Sequence, residues 1–175
     1  MALVYYVACS LDGFIAPPGG DVSWLKPFEE TAEDYGYLAF YKSVGELIMG
    51  SRTYERALTF DTWPFAGKPT HVLSSRPLVS TRPDVSVTST NLAPLVRQIR
   101  SRGERATWLV GGGAVAGSAV NERVLDEVIV TYVPRLLGRG VALFQGVTQM
   151  HSLHLIASRS YPNGVVQLQY RLAYA

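Results

Sequence analysis

Apolar residues fall in short β-favouring runs separated by stretches with helical spacing. Ala2 to Cys9 is continuously apolar and predicts a central strand buried on both faces. Further strands are predicted at Leu47–Met49, Pro69–Ser74, Val85–Thr88, Ala106–Val110 and Val128–Val133. Between them, Thr31 reads as the N-cap of a helix running to about Ser43, with Tyr37, Leu38, Tyr41 and Val44 on its apolar face. Ser51–Glu55 opens another helix after Gly50. Asn91 to Arg102 places Leu92, Leu95, Val96 and Ile99 on one face and stops at Gly103. The tail alternates apolar and polar residues over Leu153–Tyr161 and Val165–Tyr174, and Pro162-Asn163-Gly164 between them is a hairpin turn. The pattern predicts an α/β chain: a mixed, mostly parallel central sheet, helices on both faces and a closing antiparallel hairpin. With no internal repeat and no long linker, one domain spanning residues 1–175 is expected.

The sharpest transition lies at Ala106–Val115. A β-favouring run ends at Gly111-Gly112-Gly113, and the helix-favouring run Ala114–Val120 begins at once. Such a corner leaves bare backbone beside the free N–H groups of a helix start, which suits a phosphate or pyrophosphate. It also suits a purely structural turn. Gly111, Gly113 and Ala116 satisfy G-x-G-x-x-G/A. A Rossmann unit also needs an acid ending the next strand, and here that strand ends in Pro134-Arg135.

Composition adds exclusions. The chain has 175 residues, ample for a core without disulfides, and a formal net charge of +2, which favours no polyanionic partner. The basic run from Arg97 to Arg105 reads as a solvated helix C-terminus, not a nucleic-acid patch. Cys9 is the single cysteine, so there is no disulfide framework or thiolate metal site, and no metal is expected. His71, His151 and His154 have no partner acid at ligand spacing. No signal peptide or membrane-length apolar run is present, which sets the expectation of a cytoplasmic protein.

Four segments in order, Ser10-Leu11-Asp12-Gly13-Phe14-Ile15-Ala16, Met49-Gly50-Ser51-Arg52-Thr53-Tyr54-Glu55, Leu73-Ser74-Ser75-Arg76-Pro77 and Val110-Gly111-Gly112-Gly113, carry a family resemblance. Leu125-Asp126-Glu127 and Gly138-x-Gly140-x-x-Leu143-Phe144 extend it over nearly the whole chain. The sequence resembles the dihydrofolate reductase fold, in particular the reductase domain of riboflavin biosynthesis. Nothing matches the H-x-E and P-C-x-x-C signature of that enzyme's deaminase half. A reductase-like domain standing alone is expected.

The resemblance implies NADPH as cofactor. It places the 2′-phosphate between Ser74, Ser75 and Arg76 on one side and Arg52 on the other. Arg is frequent in similar proteins where this chain has Ser51, so one phosphate cation is absent. Gly111, Gly112, Gly113, Ala114 and Val115, with Val110 before them, would hold the pyrophosphate, helped by Gly50 and Thr53. Ala8 and Ile15 would flank the nicotinamide. At the substrate end, Asp34 falls where dihydrofolate reductases keep the carboxylate that binds an aminopyrimidine edge, which implies a catalytic role in helping to protonate the acceptor, and it is also ordinary capping chemistry in a first helical turn. Trp24, Tyr37 and Tyr41 are candidate aromatic walls or core.

Two functions follow from the resemblance. One is an NADPH-dependent reductase of the 5-amino-6-(5-phosphoribosylamino)uracil reductase or dihydrofolate reductase type, passing hydride to a pterin-like or pyrimidine-like heterocycle. The other is an NADP(H)-binding protein without significant catalysis. Related reductase domains pair, so a homodimer is expected, with no membrane or nucleic-acid partner.

Overall fold

In a computed structural model, which describes residues 1–89, 91–103 and 105–174, eight strands form one sheet. The strands are β1 (Leu3–Ser10), β3 (Val44–Gly50), β4 (Thr70–Leu73), β5 (Val85–Thr88), β6 (Ala106–Gly111), β7 (Glu127–Val133), β9 (Ser152–Ser160) and β10 (Val166–Ala173). Their order is β5-β4-β3-β6-β1-β7-β10-β9. The first six run parallel, and β10 and β9 add an antiparallel edge. β2 (Phe14–Ala16) and β8 (Val141–Ala142) pair separately.

Alternation along the central strands divides the core in two. Tyr5, Ile48, Leu109 and Val128 face α4 (Leu92–Arg102) and α5 (Gly113–Asn121). Leu47, Met49 and Trp108 face α3 (Ser51–Ala57), whose Tyr54 and Ala57 are buried there. The apolar face expected for α4 is the observed one, with Leu92, Leu95, Val96 and Ile99 all buried. Of the basic run that ends this helix, Arg100 reaches Asp126 at 2.5 Å and Arg102 reaches Glu46 at 3.1 Å.

The helix expected from Thr31 is not continuous. A single turn, α1 (Lys26–Glu29), precedes it, and the helix proper, α2, begins only at Tyr37 and ends at Ser43. Gly36 at φ 80° and Tyr35 at φ 53° are left-handed, which no helix interior accepts. The Thr31 hydroxyl donates to the Phe28 carbonyl at 3.1 Å and accepts from the Glu33 N–H, so it closes a local turn instead of capping. Leu38 is exposed, and Val44 is buried as the first residue of β3. Among the described residues no helix is long and apolar enough to cross a membrane.

Candidate active site

The C-terminal ends of β1 and β6, with the start of α3 that follows β3, line one cleft of about 390 Å³. In open α/β sheets, ligands bind at this end of the strands. Gly50 brings the β3–α3 corner against the β6–α5 corner: a Cβ there would lie 3.0 Å from a Val115 methyl. The start of α5 has no side-chain cap, and its first internal bond runs from the Ala116 N–H to the Gly112 carbonyl. The N–H groups of Gly113, Ala114 and Val115 precede that bond, and they carry the partial positive charge of the helix end.

Three neighbouring glycines do three different things. Gly111 sits at φ +143°, a region side chains rarely enter. Gly112 is extended, and a Cβ on it would meet nothing closer than Thr53 Oγ1 at 3.6 Å. Gly113 is buried because the backbone of Ala142 crosses it; a Cβ would stand 2.0 Å from the Ala142 carbonyl oxygen. Gly117, one turn on, is crossed by Gln145 in the same way. The crossing segment is anchored from both sides. Asp12 accepts the N–H groups of Leu137 and Gly138, and Leu143 N–H donates to the Gly13 carbonyl. The Ser10 hydroxyl most, and then the Leu137 and Gly138 N–H groups, hold the Asp12 carboxyl below its usual range.

Of the residues expected at the cofactor, Ala8, Ile15, Arg52, Thr53, Val110, Gly111 and Gly112 line this cleft. Ser74, Ser75, Ala114 and Val115 line a second groove of about 350 Å³ on the other side of the α5 start. Ser74 is not a free donor: its hydroxyl donates to the Arg76 carbonyl at 2.7 Å and shapes the loop after β4. The Arg76 guanidinium is held by both oxygens of Glu55, at 2.5 and 2.6 Å.

The substrate end departs further from expectation. Asp34 is exposed and lies outside the cleft lining. Its two oxygens accept the N–H groups of Gly36 at 3.0 Å and Leu38 at 3.1 Å, and these bonds hold its carboxyl below the usual range. Asp34 therefore caps α2, as its place before the helix demands. Trp24 sits in a single turn, Ser23–Leu25, and Val22 and Leu25 take the cleft side instead. Tyr37 does line the cleft, with Tyr41 stacked behind it at 5.7 Å.

Sequence reasoning missed Tyr6, Arg56, Phe60, Phe65 and Trp108, all of which line the cleft. The signal for two of them was parity: Tyr6 shares a strand face with Ala8, and Trp108 with Val110. Cys9, on the opposite face of β1, is buried, and burial pushes its thiol up to about 11, far from a reactive thiolate. His71 does have a partner acid. Its Nε2 lies 2.6 Å from Glu46 and its Nδ1 2.9 Å from the Ser86 hydroxyl, a polar row across β3, β4 and β5.

This arrangement of six parallel strands, glycine corner and C-terminal hairpin is that of a dihydrofolate-reductase-like reductase domain. The chain belongs to the RibD C-terminal domain family, whose pattern matches residues 2–167. It is 33% identical to the uncharacterized protein YwjB of Bacillus subtilis (strain 168) over 170 residues, 95% of each chain. A crystal structure of a candidate riboflavin biosynthesis protein from Shewanella sp. PV-4 superposes with a TM-score of 0.89 at 29% identity, covering 99% of this chain and all of that one. A diaminohydroxyphosphoribosylaminopyrimidine deaminase/5-amino-6-(5-phosphoribosylamino)uracil reductase from Thermotoga maritima shares the fold, with a TM-score of 0.75 at 14% identity. There the match covers 98% of this chain and 56% of the longer one.

Proposed function

We propose that the protein is an NADPH-dependent reductase that acts on a flat, unsaturated ring held in the aromatic cleft. One observation carries the reading. The uncapped start of α5 stands between the aromatic cleft and the Ser74–Ser75 groove, so a dinucleotide has a place for its nicotinamide, pyrophosphate and 2′-phosphate in order. The residues fit that group: Gly112 offers bare backbone facing the cleft, and the groove carries Ser75 with Arg76 beside it. Bound there, the reduced nicotinamide supplies a hydride. Ala8 and Ile15 orient the ring, and Tyr6, Tyr37 and Trp108 form flat walls that exclude water from the acceptor.

Cofactor choice tests this reading. Arg52 and Ser75 are exposed, and Arg76 must leave Glu55 to meet a phosphate, so their combined preference is moderated by solvent. NADPH should bind about tenfold more tightly than NADH, or about 1.4 kcal/mol, by fluorescence or calorimetric titration. Equal affinities would remove the 2′-phosphate from the account.

The lining holds no carboxylate or imidazole among the described residues, which keeps a binding role without significant catalysis in view. Oxidation of NADPH in the presence of oxidised pterins and pyrimidines separates the two, since a pure binder shows none.

We also propose that two chains pair along β9. All nine of its residues are exposed, Leu153, Leu155 and Ile156 among them, and among the described residues its outer edge has no neighbouring strand. A long, apolar, uncovered edge is a template for another strand. Sedimentation at micromolar concentration should give a dimer, and a monomer there would contradict the pairing.

A further inference from the structure

A second constellation lies away from the cleft. Parallel register sets His71 of β4 between Ile48 of β3 and Ser86 of β5, and Glu46, two residues before Ile48, shares their face. Ile48 belongs to the core under α4 and α5, whereas the cleft opens on the α3 side of the sheet. The polar row is joined in series. The Ser86 hydroxyl and His71 Nδ1 are 2.9 Å apart, and His71 Nε2 is 2.6 Å from Glu46 Oε2. Arg102, which ends α4, donates to the same Glu46 oxygen at 3.1 Å.

Exposure is graded along the row. The side chains of His71 and Glu46 are 14% and 21% accessible, while Ser86 is exposed. Arg102, Glu46 and His71 already tie α4 to the sheet. Ser86 at the outer end adds what a brace does not use: a solvent-facing hydroxyl in reach of a base that a shielded carboxylate orients. That relation activates a serine, and it is recognised by geometry instead of chain order. A carboxylate only accepts, so the neutral ring carries its proton on Nε2 and leaves Nδ1 to accept from the serine. The other acceptor near this hydroxyl, the Thr70 carbonyl, is at 3.5 Å and weaker.

The surroundings supply room and a donor. Ser86 lines a groove of about 470 Å³ with Lys68, Thr70, Pro83 and Val85. Among the described residues no strand lies beyond β5. The carbonyls of Asp84 and Thr88 accept from Thr70 and Ser74, so alternation turns the Val87 backbone away from β4, to the open edge. Its N–H, one residue after Ser86, is placed to receive the oxygen of a tetrahedral intermediate.

We propose that Ser86, His71 and Glu46 form a second, esterase-type site that takes a carboxylic ester with a small acyl group. Ser86 Oγ bonds the ester carbonyl carbon as its proton passes to His71 Nδ1. The carbon–oxygen bond to the alcohol then breaks, and the alcohol leaves with that proton. Water, giving its proton to His71, attacks the acyl-serine and releases the carboxylic acid, and the proton returns to Ser86. Glu46 touches no substrate; it is a positioning residue that holds the ring and favours its positive charge.

An alkyl fluorophosphonate and p-nitrophenyl acetate test this on the whole protein. The fluorophosphonate should leave one phosphonyl group, on Ser86 by peptide mapping, with fluoride released. Ser86→Ala should abolish the adduct and the burst of p-nitrophenol. His71→Asn should slow both reactions about a hundredfold. Glu46→Gln, which keeps the shape and removes the charge, should lower kcat about tenfold or more and leave KM unchanged. Circular dichroism reports whether each variant folds; if His71→Asn does not, adduct mapping and Ser86→Ala decide. An adduct elsewhere, or none, overturns the proposal. So does ester hydrolysis that persists in Ser86→Ala, or labelling of Ser86 that is as fast in a folded His71→Asn. An unchanged kcat in folded Glu46→Gln overturns the role given to Glu46.

Discussion

Gly113→Ala should cost about 3 kcal/mol of stability, and Gly112→Ala, one residue away, should cost NADPH affinity instead. At Gly113 a Cβ would sit 2.0 Å from the Ala142 carbonyl oxygen, which is backbone and cannot rotate aside. The segment around Ala142 is pinned by the bond from Gln145 N–H to the Gly113 carbonyl and by the pairing of β8 with β2. The strain must therefore be taken by moving either α5 or the crossing strand, which places the cost at the upper end of the overpacking range of about 1–3 kcal/mol. Gly112 has no such neighbour. Its φ of −90° and ψ of −169° lie where side chains are allowed, and the nearest atom to a new Cβ is Thr53 Oγ1 at 3.6 Å. The added methyl would instead stand at the start of α5, where the pyrophosphate is proposed to rest. Urea unfolding should show Gly112→Ala within about 1 kcal/mol of wild type. NADPH titration should show a loss of about tenfold or more. If Gly112→Ala keeps wild-type affinity, the corner is structural; if Gly113→Ala keeps wild-type stability, the Ala142 crossing is looser than the contact implies.

That contrast also shows what the sequence made legible. Gly111-Gly112-Gly113 announced a strand, a tight turn and a helix start, because glycine runs between apolar periods have few other uses. It did not reveal that Gly113 answers to a strand nearly thirty residues later, since that contact depends on where the loop from Pro134 to Gln145 returns. The same limit explains the other gains and losses. The sheet was readable because its central strands are long and apolar and its hairpin carries Asn163-Gly164. The helix expected from Thr31 failed at Tyr35 and Gly36, where left-handed backbone outweighs the spacing of apolar positions. Asp34 then took the capping role at a start five residues later than Thr31 would have given.

Residues that meet only across the sheet were the hardest to anticipate. Glu46 and His71 lie on different strands, and no spacing along the chain shows that parallel register sets them 2.6 Å apart. Arg56 drew no notice in the sequence, and the fold sets it in the cleft lining with its Nη2 2.6 Å from Asp21. Ser74 and Arg76 read as phosphate ligands from their motif, yet one hydroxyl and one guanidinium are already bonded within the protein. A motif names the residues that can reach a ligand. Their competing partners are set by the fold.

Trp108→Ala should be among the most damaging single changes, lowering stability by about 3–5 kcal/mol. Trp108 is 7% exposed although one side of it faces the cleft. Its indole meets Tyr6, Tyr37, Phe40, Tyr41 and Phe65 edge-on, with ring centroids between 5.6 and 6.4 Å. Those rings come from β1, from α2 and from the loop after α3, so the indole joins three elements that no long helix ties together. Alanine would leave a cavity bounded by rings on short, separately anchored segments, and it would remove the Nε1–H that bonds the Tyr6 carbonyl. Trp108→Phe keeps much of the packing and loses that bond, so it should cost about 1–2 kcal/mol. The two variants can be ranked by urea unfolding, with NADPH titration alongside. Phenylalanine should preserve NADPH binding, because the dinucleotide is proposed to contact Val110 to Val115 and not the indole. A Trp108→Ala cost below about 1 kcal/mol would mean that the surrounding rings collapse into the space. In that case the aromatic cluster is not what fixes α2 over the sheet, and the cleft wall it forms is softer than the ring geometry implies.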